Sequence, residues 1–181
     1  MDRTIAYIAL FAALIAALGL APPLNVIPGV PITAQSFGIM LSGAVLGARR
    51  GALAVLLFLL LVALGLPLLA GGRGGLGVFA GPTVGFLIGW PMAAFVTGLV
   101  TERLRAAPVG AAATIGALIG GVVVLYAAGI VGMSVTLGKT IPEATMLVAV
   151  FLPGDAIKAA LTGVVTAALA RARPGAVLSR A

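Results

Sequence analysis

The stretch ATMLVAVFLPGDAIKAALTGVVTAALAR, Ala144 to Arg171, decides how the chain is built. Apart from Asp155, Lys158 and its closing arginine it carries no charge, and it is too long for one simple membrane crossing, which takes roughly 20 mostly apolar residues. Pro153-Gly154-Asp155 divides it. Proline is favoured in the first helical turn, and an acid there is favoured by the positive end of the helix dipole. The spacing therefore predicts a last helix over 153–171. Pro142 to Leu152 becomes a short helix or surface segment leading into it.

Working outward from that helix, five further apolar runs are punctuated by proline, glycine or paired basic residues: 4–21, 32–48, 51–70, 81–101 and 109–131. The first has the short basic start of a signal peptide, but everything after it is equally membrane-like, so it reads as a span. Composition agrees. Of 181 residues 62% are hydrophobic and 8% charged, with a mean hydropathy of +1.27; soluble domains carry about 25% charged residues. The expectation is an all-α integral membrane protein, one domain over 1–181, with six transmembrane helices. With both termini cytoplasmic, Arg3, Arg49, Arg50, Arg103, Arg105, Arg171, Arg173 and Arg180 fall inside. Only Arg73 and Lys139 fall outside, and Lys158 lies within the membrane. Five spans would scatter these charges over both faces; six respect the positive-inside bias.

The same counts exclude chemistry. Without His or Cys there is no zinc site, thiolate nucleophile or disulfide, and four acids leave little for general acid–base work. Neither a metal nor a cofactor is expected. The net charge of +7 is spread between apolar runs rather than gathered in a patch, which points to the lipid bilayer and not to nucleic acid. Gly72-Arg73-Gly74-Gly75-Leu76-Gly77 matches GxGxxG, yet it follows an apolar span and has no acid about twenty residues on, so it reads as an outer loop whose backbone approaches something closely. Gly138-Lys139-Thr140 lacks the strand and glycine spacing of a phosphate loop.

Three polar islands remain. Asp155 and Lys158, three apart, share a helix face about one turn inside the last span. Ionisable residues in a membrane helix are expensive and face a cavity or a pathway. They read as a ligand site offering an acceptor and a donor together, or as a self-satisfied pair with Asp155 capping its helix. Gln35, flanked by Thr33 and Ser36 after Pro28-Gly29-Val30-Pro31, is either a ligand-binding amide or a helix cap. Arg73 either holds a carboxylate or sits in water. All three islands fall on the outer half, which suggests a pocket open to the outside and walled by Phe37, Phe86 and Trp90. Rows of small residues four apart (Ala9, Ala13, Ala17; Gly43, Gly47, Gly51; Gly81, Gly85, Gly89) let helices approach closely.

The segments Pro31-Ile32-Thr33-Ala34-Gln35-Ser36-Phe37-Gly38, Gly74-Gly75-Leu76-Gly77 with Gly81-Pro82-Thr83, and Pro153-Gly154-Asp155-Ala156-Ile157-Lys158 together resemble the BioY family, the biotin-specific S components of energy-coupling-factor (ECF) transporters. The resemblance implies the six-helix S-component fold in a bacterial inner membrane and high-affinity capture of biotin from outside. It also implies a transmembrane coupling protein and paired ABC-type ATPases as partners. In S components the small-residue row on the first helix, here Ala9, Ala13 and Ala17, contacts the coupling protein. The substrate-binding set carried over is Asp155, Lys158, Gln35, Thr33, Arg73, Gly74, Gly75 and Phe86. Where the family often has Gly-Gly-Tyr, this chain has Val84-Gly85-Phe86, which keeps the ring and loses the hydroxyl. An S component for another vitamin and a solitary secondary transporter of biotin are the rival readings.

Overall fold

A computed structural model describes residues 2–27 and 30–180. Helix α1 (Asp2–Leu18) ends in a turn before the prolines and is followed by an antiparallel hairpin, β1 (Leu24–Ile27) and β2 (Val30–Ile32), paired Leu24 to Ile32 and Ile27 to Val30. Pro28 and Gly29, between the strands, lie outside the described residues. Helices α2 (Gln35–Leu46) and α3 (Ala48–Ala63) follow, then a glycine-rich loop with a 3-10 turn at Leu76–Ala80, and α4 (Val84–Arg103). Next come α5 (Val109–Leu118) and α6 (Leu125–Leu137), joined through a π-helical turn at Ile119–Val124 into one continuous rod. Short α7 (Ile141–Ala149) leads into α8 (Leu152–Ala172), and two 3-10 turns, Pro174–Ala176 and Leu178–Arg180, finish the chain.

Three rods, Val84–Arg103, Val109–Leu137 and Leu152–Ala172, are long and apolar enough to cross a membrane. The first three helices are shorter than their apolar runs, which corrects three boundaries of the sequence reading. Residues 19–21 form a turn; 32 belongs to a strand, paired with Leu24; and 64–70 is loop, since Gly65 at φ 103° and Pro67 end α3. No loop separates α2 from α3. Gly47, at φ 87°, makes a sharp corner, and Arg49 and Arg50 lie in the first turn of α3. Two cations at a helix N-terminus oppose the dipole; the Glu102 carboxylate at the end of α4 offsets this by accepting the Ala48 N–H at 2.9 Å.

The core lies where α1, α2, α3 and α4 meet, with Ile15, Ile39, Val55, Phe58, Val62 and Leu87 almost fully buried and the rings of Phe58 and Trp90 tilted at 6.1 Å between centroids. Two of the small-residue rows act as internal seams. Gly43 packs on the Ala94 carbonyl and against Gly51, while Gly85 meets Gly132 and Gly89 meets Ala128, so that α4 and α6 touch backbone to backbone. The π turn places Gly120 and Gly121 against Thr97 and Met40, where any side chain would collide. The alanine row is different: Ala9, Ala13 and Ala17 are all exposed, on the side of α1 away from buried Ala12 and Ile15.

Candidate functional site

At the end of the bundle where α1 stops, six pieces of chain enclose a cavity: the hairpin's second strand, the start of α2, the glycine loop, the first turns of α4 and α8, and Leu125 at the start of α6. It is a small cavity, of about 60 Å³. Its walls are mainly apolar. Phe86, Leu87 and Trp90 come from α4, and Phe86 meets Phe151 edge-on with centroids 5.9 Å apart.

Asp155 is 5% exposed and borders this cavity from the first turn of α8. Lys158, one turn on, donates from Nζ to Asp155 Oδ1 at 2.7 Å and to Ser36 Oγ at 2.9 Å. Ser36 Oγ lies 3.3 Å from Asp155 Oδ1 and 3.4 Å from the Thr33 carbonyl, with one proton for the two. Tyr126, from α6, donates its hydroxyl to Asp155 Oδ2 at 2.9 Å. The carboxylate is thus held by three side chains from three helices. Asp155 makes no capping bond at the start of α8, which removes that part of the alternative reading. The ammonium has three protons and two partners.

Gln35 is 1% exposed, and both its amide nitrogen and its amide oxygen are bonded. Nε2 donates to the Ile15 carbonyl at 3.1 Å and the Leu68 carbonyl at 3.0 Å, and Oε1 accepts from Ala70 N–H at 3.0 Å. It staples the end of α1 and the glycine loop to the start of α2. It lines the cavity without a free donor. The loop it holds carries Arg73, which also lines the cavity; Arg73 Nε donates to the Ala70 carbonyl at 3.3 Å.

The sequence-derived residues therefore divide. Asp155, Lys158, Thr33, Gln35, Arg73 and Phe86 line one cavity. Gly74 and Gly75 do not; they shape the loop behind it. Gly74 abuts the Leu66 carbonyl, and Gly75, at φ 80°, donates to the Val62 carbonyl at 2.8 Å. Phe37 packs with Phe11, Leu41 and Val45 on another side of α2 and is no cavity wall. Sequence reasoning missed the bridging role of Ser36, the buried Thr83, and Tyr126 and Phe151. Tyr126 carried a usable signal: it is one of only two tyrosines and sits within a long apolar run. Among the described residues no three carboxylates, histidines or cysteines come together as metal ligands would.

Comparison with known proteins gives a consistent result. The model of the BioY family matches residues 2–175. The biotin transporter BioY of Rhodobacter capsulatus is 56% identical over 99% of this chain and 100% of its own length, and that of Rhizobium etli is 54% identical over 94% and 92%. Among solved structures, the S-component for biotin from an ECF-type ABC transporter superposes with a TM-score of 0.87 at 35% identity, covering 94% of this chain and 92% of that one. With a family match over nearly the whole length, relatives identical at more than half of the aligned positions, and a shared three-dimensional arrangement, the chain belongs to the BioY family.

Proposed function

We propose that this protein is the substrate-binding membrane subunit of a vitamin uptake transporter, capturing biotin from the outer side and delivering it inward with a partner module. The observation that carries the reading is the ion pair of Asp155 and Lys158 at the edge of an apolar cavity, tied to Ser36 and Tyr126. Isolated charges in such surroundings are costly. An acid and a base 2.7 Å apart suit one small group that offers a donor and an acceptor side by side. The ureido ring of biotin does this: its N–H and C=O are separated by a single carbon. Asp155 accepts a ureido N–H, and Lys158 donates its remaining proton to the ureido oxygen. Phe86, Trp90 and Phe151 cover the bicycle and chain. Arg73, the other cation lining the cavity, takes the carboxylate. Gln35, Gly74 and Gly75 hold the loop that presents Arg73, and Thr33 fixes Ser36 through its carbonyl.

The chain is placed as one domain over 1–181 with six crossings: α1, α2, α3, α4, the α5–α6 rod and α8. Both termini lie in the cytoplasm of a bacterial cell whose inner membrane it spans. The arginine distribution supports this orientation. So does the closing turn of the chain, where Arg180 donates to the Leu104 and Arg105 carbonyls at 3.0 and 3.2 Å and keeps the C-terminus beside the basic turn after α4. No reaction is catalysed by this subunit. ATP hydrolysis belongs to ABC-type ATPases, reached through a transmembrane coupling protein that packs on the exposed row of Ala9, Ala13 and Ala17.

Hydrogen bonds to charged groups contribute about 1.5–3 kcal/mol each. A few of them plus burial of the bicycle reach nanomolar affinity, about −12 kcal/mol. Calorimetric titration of the detergent-purified protein tests this. Biotin is expected to bind at nanomolar concentration, and biotin methyl ester to bind more weakly to the natural protein but not relative to biotin in Arg73→Ala. Tighter binding of a different vitamin, or no binding of biotin, overturns the proposal.

A further inference from the structure

At the end of the bundle opposite the cavity, a groove of about 650 Å³ opens where the start of α1, the first turn of α3 and the segment after α8 converge. Three arginines line it, one from each element: Arg3, Arg50 and Arg173. Tyr7 and Leu10, four and seven residues after Arg3, continue the same face of α1 into the groove, and Leu178 closes it from the C-terminal turn. Three of the four acids are engaged elsewhere. Asp155 is paired with Lys158, Glu102 accepts the Ala48 N–H, and Glu143 is held by Thr140. Asp2 is the fourth, and its side chain is outside the described atoms. Among the described side chains no carboxylate lies within ion-pair distance of Arg3, Arg50 or Arg173. Guanidinium groups match phosphate oxygens in pairs, and the groove sets three of them beside Tyr7, Leu10 and Leu178; on the membrane placement proposed above, this end of the bundle lies at the inner membrane surface. We propose that it binds the phosphate headgroup of an anionic phospholipid, with Arg50 and Arg173 as the principal contacts and Leu10 and Tyr7 against the start of the acyl chains.

The test uses the full chain in bilayer discs of phosphatidylcholine mixed with phosphatidylglycerol, with the lipid retained after transfer to detergent counted by native mass spectrometry. Phosphatidylglycerol is expected to be retained about ten-fold over phosphatidylcholine. The pair Arg50→Gln and Arg173→Gln is expected to bring that ratio to about one, with biotin affinity unchanged as the check on folding. Arg103→Gln, a basic residue at the same end outside the groove, keeps the ratio. Equal retention of both lipids by the natural protein, or a ratio unmoved in the double variant, overturns the proposal; the first outcome is also the one an acidic protein partner would give. Inorganic phosphate is expected not to displace the lipid, and if it does the groove is a phosphate site and the lipid assignment falls. Should the glutamine pair fail to fold, Arg50→Lys with Arg173→Lys keeps the charge and loses the paired geometry. Its ratio is expected to drop several-fold, and no drop counts against the proposal.

Discussion

Gln35 and Asp155 are both buried, both polar and both on the wall of one cavity, yet they are held in different ways. The partners of Gln35 are three backbone groups, from α1 and the glycine loop. Those of Asp155 are three side chains, Lys158, Ser36 and Tyr126. A side chain tied to backbone organises the fold, because its loss leaves donors and acceptors that cannot move away. A side chain tied to other side chains belongs to a network that can re-form around a guest. The contrast separates a staple from a receptor where composition and burial alone do not.

The strongest way to break this contrast is to remove the charges. Asp155→Ala, or Lys158→Ala, is expected to weaken biotin binding at least about a hundred-fold by calorimetry, the usual scale for stranding one partner of a buried charge pair. Removing both is expected to abolish binding while the ligand-free protein melts close to the natural one, since no lone charge is left behind. If the double variant unfolds as readily as a staple variant, Asp155 and Lys158 are themselves structural. Gln35→Ala is the mirror test. It orphans the Ile15 and Leu68 carbonyls and the Ala70 N–H and is expected to cost about 3 kcal/mol of stability, read by thermal or denaturant unfolding, with a smaller loss of affinity through the loosened loop. Tyr126→Phe sharpens the comparison within the network. Losing one bond to the carboxylate is expected to weaken binding about ten-fold with little change in melting.

Ala13→Leu lies outside both regions. On the exposed face of α1 it is expected to leave affinity unchanged and to depress biotin uptake in cells that carry the coupling module; lost binding would make the alanine row an internal seam like the glycine rows. The smallest effect is at the exposed start of α7. The Thr140 N–H and hydroxyl hold the exposed Glu143 carboxyl below the ordinary carboxylate range. A lowered value means that the support is complete at neutral pH and is lost as pH falls through that lowered value. Amide exchange along α7 is expected to accelerate only in acid, and equal acceleration in Thr140→Ala at neutral pH identifies the capping box as its cause.

Much of this arrangement was legible before any fold was known. An acid and a base three apart in an apolar run announce themselves, because hydrocarbon leaves them few alternatives. The hydroxyls did not. Ser42, Thr101, Thr136, Thr162 and Thr166 each bond to a carbonyl one turn back in their own helix, whereas Ser36, marked in the sequence only as a neighbour of Gln35, reaches across to α8. Gln35 was found for its polarity, but its partners lie 20 and more residues away and could not be read. The early end of α3 follows from Gly65 and Pro67, whose backbone demands outweigh the apolar run around them; the hairpin before α2 rests on strand pairing that no local pattern announces.

The contact of Gly85 with Gly132 has a mechanical corollary. Two rods whose main chains touch cannot slide or rotate without lifting apart, so α4 and the α5–α6 rod form a stiff plank behind the cavity. Any adjustment of the cavity to a guest is then left to the parts that face the plank, β2 and the stapled loop, with the plank as the fixed side.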